Sequence, residues 1–430
     1  MKVLMFGWEF PPHISGGLGT ACYGLTKGMT SLSDIEILFV VPKTFGDEDR
    51  SSIKLIGANN VHIRVSDLRV VGFLKSLRQI EVGVNLLPYV DPELYEKHSS
   101  KNVLGENKFI TSDTDCKLQF SGGYGQNLMT EIANYAIVGA AIATEYSFDI
   151  IHAHDWLCYP AGIAAKQVSG KPLVIHVHAT DFDRSGGNVN PVVYNIEKQG
   201  MDAADKIITV SNLTRSIVIE KYGIAPEKVV TVYNAVEPVE HKETVKTQHV
   251  SKHTEEKIVT FLGRITMQKG PEYFIEAAGL VLEKMKNVRF VMAGSGDMMN
   301  KMIRRAARLG ICDKFSFTGF LKGDDVYRMF SLSDVYVMPS VSEPFGISPL
   351  EALQSNVPVI ISRQSGVAEI LKHAIKVDFW DTHAMADAIY GILNYPALHR
   401  VFSKHGKTEV EKMKWETSAK HVRDVYYSVI

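Results

Sequence analysis

The stretch DVYVMPSVSEPFGISPLEALQS, residues 334–355, contains the unit from which the fold is inferred. Its first part, VYVM, is apolar at every position, which is typical of a parallel strand buried on both faces. A loop with Pro344 and Gly346 follows, and SPLEALQS then has the composition of a helix start. A buried strand, a loop and a helix in this order predict one unit of a parallel α/β sheet.

The same alternation recurs on both sides of this stretch. Strand-like runs in the first half are KVLMFGW, IEILFVV, FDIIHAH, PLVIHVH and KIITVS, and those in the second half are KIVTFLG, VRFVMAG, KFSFTG, DVYVMPS and VPVIISR. Helical patterns such as GPEYFIEAAGLVLEKM lie between them. The densely charged, aperiodic stretch 236–257 separates the two sets and reads as a linker. We predict two doubly wound α/β domains joined there.

Composition excludes several classes of protein. The 430 residues allow two or three domains, and 45% apolar with 22% charged residues is typical of a globular chain. Lys+Arg 47 against Asp+Glu 48 gives a net charge of −1, which disfavours a nucleic-acid partner. Four cysteines without C-x-x-C spacing favour a cytoplasmic location, and no apolar run approaches a membrane span. The irregular segment 43–120 is interpreted as a surface insertion, with acceptor or peripheral membrane contact as the alternative.

Polar and glycine residues collect after the strands, where open parallel sheets bind ligands. The loop after the first strand has Gly16 and Gly17 at a helix start, where backbone amides can approach a phosphate. An ordinary tight turn explains two glycines equally well. The absence of G-x-G-x-x-G there disfavours a dinucleotide oxidoreductase.

Two His-x-His pairs end the strands FDIIHAH and PLVIHVH. His152 and His154 precede Asp155, and His176 and His178 repeat the spacing on the next strand-like run. Alternate residues of a strand point to one face, so His152 and His154 are a conceivable metal ligand pair, whereas a lone pair such as His176 and His178 is more often structural. No cysteine or carboxylate cluster completes a ligand set, and we therefore favour a polar pocket that contacts a sugar over a metal site.

The loop FLGRITMQKG is a candidate phosphate site. Arg264 and Lys269 lie between Gly263 and Gly270, in a loop that leads from a strand into a helix. Arginine can grip two phosphate oxygens, and lysine adds a mobile positive charge. Gly294, in VMAGSGD, would allow close approach of a nucleotide to the backbone.

The stretch SEPFGISPLEAL has two glutamates with different local explanations. Gly346, Ile347 and Ser348 would present free amides to a diphosphate, with Ser348 as helix N-cap. Glu351 lies three residues after Ser348, which matches a capping box as well as it matches a ligand contact. Glu343 has no such structural explanation and is the candidate catalytic carboxylate.

Together these motifs resemble the GT-B glycosyltransferases, specifically the retaining family 4 enzymes and the glycogen and starch synthases. The resemblance covers nearly the whole chain, and E-x7-E, met by Glu343 and Glu351, is its most specific element. It implies two Rossmann-like domains that face a central cleft. Residues 1–240 would form the acceptor domain, residues 256–411 the donor domain, and a final helix in 412–430 would pack back on the first.

The resemblance also implies residue roles. Donor binding would fall to Gly16, Gly17, Arg264, Lys269, Gly294, Gly346, Ile347, Ser348 and Glu351, the catalytic positions would be Glu343, His178 and Asp155, and the sugar or acceptor pocket would include His154 and Tyr124. No metal or other cofactor is expected, because fixed cations face the leaving group.

The activity that the resemblance implies is retaining transfer of a sugar, with glucose expected, from UDP- or ADP-sugar to a glycan. Ile14 stands where ADP-glucose synthases typically carry the lysine of K-x-G-G-L, which favours other family 4 reactions. These are the synthesis of cell-surface polysaccharides, glycolipids or small glycosides. A GT-B nucleotide-sugar epimerase and a non-catalytic sugar-binding protein are further alternatives.

Overall fold

The computed structural model describes residues 1–14, 16–49, 53–63, 117–125, 127–238 and 256–430. These residues form two compact units. The first unit comprises Met1–Asn234 with Trp415–Ile430, and the second comprises Ala235–Lys414. Each unit is a parallel sheet with helices, so the prediction of two doubly wound α/β domains of the GT-B type is confirmed.

The first unit has a seven-stranded parallel sheet in the order β3-β2-β1-β4-β5-β6-β7. Its strands are β1 Lys2–Phe6, β2 Glu36–Val41, β3 Lys54–Gly57, β4 Ile150–His154, β5 Leu173–Val177, β6 Lys206–Thr209 and β7 Val229–Thr231. Its described helices are α1 Gly17–Thr30, α2 Leu128–Glu145, α3 Tyr159–Ser169, α4 Asp181–Ser185, α5 Pro191–Ala203, α6 Asn212–Tyr222 and, from the chain end, α14 Trp415–Tyr427. All residues of β4 and β5 are buried, as expected for central strands covered on both faces.

The C-terminal helix α14 belongs to the first unit, where it packs on α1. Two glycines of α1 make this close approach possible. A Cβ on Gly24 would lie 2.3 Å from the Trp415 indole, and one on Gly28 would lie 2.6 Å from the Trp415 carbonyl oxygen. The small residues of α1 therefore fix where the returning helix lies.

The second unit has a six-stranded parallel sheet in the order β10-β9-β8-β11-β12-β13. Its strands are β8 Lys257–Leu262, β9 Val288–Ala293, β10 Phe315–Gly319, β11 Val335–Met338, β12 Val359–Ser362 and β13 Ile375–Val377. Its described helices are α7 Pro271–Lys284, α8 Met299–Arg308, α9 Asp324–Leu332, α10 Ser348–Gln354, α11 Val367–Ile370, α12 Thr382–Asn394 and α13 Pro396–Val410. Strands β8, β11 and β12 are neighbours in this sheet, so their loops meet at one edge.

The unit boundaries differ from the expected ones by a few residues. The first unit ends at Asn234 rather than at 240, and its C-terminal part starts at Trp415 rather than at 412. Ala235 and Val236 are buried, and the side chain of Gln354 donates to the Glu237 carbonyl at 2.9 Å. The chain therefore joins the second unit before the charged stretch begins.

In the described part of the chain, no helix is long and apolar enough to cross a membrane. Most of the segment interpreted as a surface insertion, from 64 to 116, lies outside the described residues.

Candidate functional site

Backbone contacts hold the loop after β8 against the loop after β11. Gly270 has a φ of 65°, and a Cβ there would lie only 2.0 Å from the Pro339 carbonyl oxygen. The amide of Val341 donates to the Gln268 carbonyl at 2.9 Å. Glycine at 270 is therefore required twice, by its left-handed conformation and by the close approach of the two loops.

The loop after β11 is held equally firmly to the loop after β12. The Glu343 amide donates to the Gln364 carbonyl at 2.9 Å, and the Gly366 amide donates to the Glu343 carbonyl at 2.9 Å. These two bonds form a short parallel bridge between Glu343 and Ser365. The backbone of Glu343 is thus fixed, which fixes where its side chain begins.

Lys269 and Glu343 meet at this edge of the sheet as an ion pair. Lys269 Nζ donates to Glu343 Oε2 at 2.5 Å, and Ser340 Oγ donates to the same oxygen at 3.1 Å. Arg264 is half-buried in the same loop as Lys269, with its guanidinium 3.2 Å from Gln268 Oε1. Two cations and one carboxylate therefore lie at the ends of adjacent strands.

The start of α10 differs from the predicted capping box. Ile347 is the N-cap, and neither Ser348 nor Glu351 makes a capping hydrogen bond. Instead, Ser348 Oγ lies 2.8 Å from the hydroxyl of Tyr336, a residue of the underlying strand β11. The prediction of Ser348 as N-cap was wrong because a tertiary partner draws its hydroxyl away from the helix amides. Among the described residues, nothing accepts from the amides of Gly346, Ile347 or Ser348.

Glu351 is left with a carboxylate that accepts no hydrogen bond from the described residues. The side chain is half-buried. Burial raises the pKa of Glu351 to about 7. Burial also raises the pKa of nearby Tyr327 to about 12, and the Glu351 charge adds to that rise. A desolvated carboxylate without an internal partner has acceptor capacity left for a ligand.

Gly294 has a structural reason for its identity. A Cβ there would lie 1.8 Å from the Gly263 carbonyl oxygen, and φ at Gly294 is 142°. Gly296 likewise lies against the Ile265 carbonyl, 2.3 Å from where a Cβ would be. These glycines bring the loops after β8 and β9 together, whether or not a ligand also approaches Gly294.

In the first unit, Asp155 supports the loop that follows β5. It is buried, adopts a φ of 60°, and accepts at Oδ1 from the amides of His178 at 2.9 Å and Ala179 at 3.3 Å. Burial raises the pKa of Asp155 to about 6, while Arg184, 4.0 Å from Oδ2, and the two amides oppose the rise. The residue predicted as catalytic therefore already orients the main chain of His178.

The four histidines of β4 and β5 form one cluster. Ring centroids lie 4.2 Å apart for His152 and His154, 4.3 Å for His176 and His178, and 5.2 Å for His154 and His178. His152, His154 and His176 are fully buried, whereas His178 is half-buried. Nitrogens of His152, His154 and His176 lie within 4.8 Å of one another, and the Cys22 sulfur lies equally close to nitrogens of His154 and His178. The expectation that no cysteine lies beside the histidine pairs was therefore wrong, because α1 brings Cys22 to them from a distant part of the sequence. Burial raises the pKa of the Cys22 thiol, which disfavours the thiolate that a metal would need.

The remaining predicted residues of this unit lie in two loops. Gly16 precedes α1 and Gly17 begins it, and a Cβ on either glycine would meet no atom of the described residues within 4 Å. That space is compatible with an approaching ligand. Tyr124 lies before α2 and packs, partly buried, against the hydrophobic core of the first unit.

One buried network was missed by the sequence reasoning. Arg184 Nη2 lies 2.5 Å from Glu197 Oε1, and the hydroxyl of Tyr222 donates to Oε2 of the same carboxylate. Burial raises the pKa of Glu197 to about 7, with Arg184 opposing the rise. The run DFDR after the second histidine pair was the available signal, since a buried arginine needs such acids.

The chain is similar in sequence and fold to known glycosyltransferases. Residues 242–409 match the family described as Glycosyl transferases group 1, and residues 130–240 match Glycosyltransferase Family 4. An uncharacterized glycosyltransferase of Methanocaldococcus jannaschii, MJ1607, is 27% identical over 442 residues, which cover 99% of this chain and 98% of that protein. A glycogen synthase of Mycobacterium tuberculosis is 22% identical, over 99% of this chain and 94% of that protein. Anabaena Alr3699/HepE, solved in complex with UDP and glucose, has a TM-score of 0.65 at 15% identity and covers 100% of both chains.

The two parallel α/β units and the two family-model matches together identify a glycosyltransferase of the GT-B fold. Within that class, the chain has one segment that matches the family 4 model and one that matches the group 1 model.

Proposed function

We propose that this enzyme transfers a sugar, with glucose expected, from a nucleoside-diphosphate sugar to a hydroxyl of a glycan, with retention of configuration. UDP and ADP are the candidate nucleotides. The observation that carries the proposal is the Lys269–Glu343 pair at 2.5 Å, in the same unit as Arg264 and as the amides of Gly346 to Ser348, which have no acceptor among the described residues. The cations suit a diphosphate, and the carboxylate suits a sugar that develops positive charge.

The chemistry asked of these residues is cleavage of the bond between the sugar and the diphosphate. Negative charge builds on the leaving oxygen, and Arg264 and Lys269 would stabilise it. In same-face attack, the bond between the anomeric carbon and the phosphate oxygen breaks, and the acceptor oxygen bonds to the anomeric carbon from the same face. The leaving phosphate oxygen takes the proton of the acceptor hydroxyl. Glu343 would stabilise the oxocarbenium-like sugar between these events. Because fixed cations perform the electrostatic role, we propose that no metal or cofactor is required.

Glycogen or a related α-glucan is the proposed acceptor, and the 22% identical glycogen synthase supports it over nearly the full length. The Anabaena structure, titled as a complex with UDP and glucose, supports a nucleotide-sugar donor. Ile14 in place of the synthase lysine keeps a cell-surface polysaccharide, a glycolipid or a small glycoside as the second candidate acceptor. Cytoplasmic location and a peripheral membrane contact stay predictions.

The first experiment is an acceptor and donor screen. The protein is incubated with UDP- and ADP-sugars, with and without glycogen, while nucleoside diphosphate release is followed. Release that depends on glycogen supports the proposal, and the anomeric configuration of the new linkage decides retention. A changed donor sugar without any acceptor would instead identify an epimerase, and binding without release would identify a sugar-binding protein.

The second experiment tests the phosphate role. Lys269→Ala should weaken binding of the nucleoside diphosphate about tenfold or more in calorimetry, because a charge-assisted contact is lost. Lys284→Ala, an exposed lysine of the same unit, is the matched control and should leave affinity unchanged. Unchanged affinity of a folded Lys269→Ala protein would exclude this lysine from the donor site.

A further inference from the structure

The four histidines at the ends of β4 and β5 are uncharged at neutral pH. Burial lowers the pKa of His152 and of His178 to about 3, and it also lowers the pKa of His154 and His176. A neutral imidazole has one N–H donor and one lone pair. The position of each proton is therefore set by the hydrogen bond that the ring makes.

One of these hydrogen bonds joins two histidine rings. His154 Nδ1 lies 2.9 Å from His178 Nε2, so one of these two nitrogens carries a proton and the other accepts a hydrogen bond from it. If His154 donates, its Nε2 is a lone pair. If His178 donates, His154 must carry its own proton on Nε2.

Burial of His154 distinguishes the two arrangements. His154 Nε2 is buried and has no hydrogen-bond partner in the part of the chain that the structure describes. An N–H left without an acceptor in the protein interior is rarer and more costly than an unsatisfied acceptor. The arrangement in which His154 donates leaves only a lone pair at that atom, and it is therefore favoured.

We propose that His154 is a positioning residue that donates Nδ1–H to His178 Nε2 and so holds His178 in the tautomer with its proton on Nδ1. The main chain of His178 is fixed by its amide bond to Asp155, and its ring is fixed by the bond to His154. His178 is half-buried, and its Nδ1 donates to nothing among the described residues. That N–H is the remaining polar group of the ring.

We identify the acceptor of this N–H as an oxygen of the transferred sugar. This identification rests on the proposed function. A neutral imidazole with its proton on Nδ1 donates a hydrogen bond, whereas the other tautomer would present a lone pair and select a hydroxyl as donor. His154 thereby decides whether His178 donates or accepts. His178 would bind and orient the sugar without acting as a general acid at neutral pH.

The tautomer is measured directly by nitrogen-15 NMR of histidine-labelled protein without any ligand. The expected result is a protonated Nδ1 on His178 in the wild type, assigned by the loss of its signals in His178→Asn. In His154→Phe, the ring should shift toward the tautomer with the proton on Nε2. A wild-type His178 protonated on Nε2 overturns the inference, and this outcome does not depend on whether the chain transfers sugar.

Kinetics provide the second readout. His154→Phe should lower kcat/KM about tenfold, the effect of losing one oriented neutral hydrogen bond, while nucleoside diphosphate affinity stays unchanged. His154→Asn supplies an amide N–H and should restore most of the loss. The matched control is His152→Phe, which changes the same face of the same strand but a ring bonded to Tyr426. Equal losses in His152→Phe and His154→Phe, with no rescue by asparagine, would mean that His154 only fills the core.

Discussion

Glu351 offers a prediction whose size can be worked out. Its carboxylate is half-buried, accepts no hydrogen bond from the described residues, and has a pKa raised to about 7 by burial. Two ribose hydroxyls that donate to it would each stabilise the ionised form by about 1.5 kcal/mol or more. Since one pKa unit corresponds to about 1.4 kcal/mol, bound donor should lower the pKa of Glu351 by about two units.

The direction of the pH dependence follows from which protonation state of Glu351 binds the donor. Only the ionised carboxylate accepts both hydroxyls, so donor affinity is highest above pH 7 and is lost as the pH falls through the pKa of the free protein. Relative to pH 8, affinity should be about tenfold weaker at pH 6 and about fiftyfold weaker at pH 5. The loss levels off once the pH passes the lower pKa of the complex.

The assay is calorimetric titration with an intact nucleotide sugar between pH 5 and pH 8. An intact nucleotide sugar is preferred to the nucleoside diphosphate, whose terminal phosphate itself titrates. Glu351→Gln is the matched control, because it keeps Asp155 and Glu197, whose raised pKa values also fall in this range. Its affinity should be lower at pH 8 and flatter with pH. Parallel curves for wild type and Glu351→Gln would refute the ribose contact.

Three other predictions address the remaining groups. Glu343→Ala should lower kcat at least about a hundredfold. Donor affinity should stay unchanged or improve, because Lys269 is then free to contact the phosphate alone. A kcat within about threefold of wild type would exclude a catalytic role. His152→Phe should gain about 2 kcal/mol of unfolding free energy relative to wild type when pH falls from 7.5 to 5, as measured in urea. The folded pKa near 3 lies below the unfolded value near 6.5, so wild type loses stability as the pH falls through 6.5, and a constant difference contradicts this reasoning. Gly294→Ala should cost at least about 2 kcal/mol, because its Cβ would meet a carbonyl oxygen at 1.8 Å, whereas Gly279→Ala, mid-helix with 3.8 Å of clearance, should be neutral or stabilising in thermal unfolding.

The strands that the sequence predicts are the ones whose pattern is local. Runs such as VLMF and VYVM are apolar at every position because the sheet covers both their faces. Strands β3, β7 and β13 were not predicted. They are three or four residues long, lie at sheet edges and keep partly exposed residues, so no local pattern separates them from loops.

The candidate site was only partly predictable for a related reason. That Glu343 lies in a loop after a buried strand could be inferred locally, but its pairing with Lys269 could not. The two residues are 74 positions apart, and the pair forms because β11 lies beside β8 although β9 and β10 come between them in the chain. The capping box failed likewise, since the hydroxyl that draws Ser348 away belongs to Tyr336, twelve residues earlier.

The two glutamates of SEPFGISPLEAL, which share one sequence motif, have opposite electrostatic surroundings. Glu343 is paired with a lysine and bonded to a serine, so its charge is compensated before any ligand binds. Glu351 is half-buried and has no hydrogen-bond donor among the described residues, so its charge is costly until a ligand donates hydrogen bonds to it. A compensated carboxylate can stay in place while charge develops on a sugar, whereas an uncompensated one gains most from neutral hydroxyls. This contrast supports the proposal that Glu343 faces the sugar and Glu351 the ribose, in addition to the support that the motif gives.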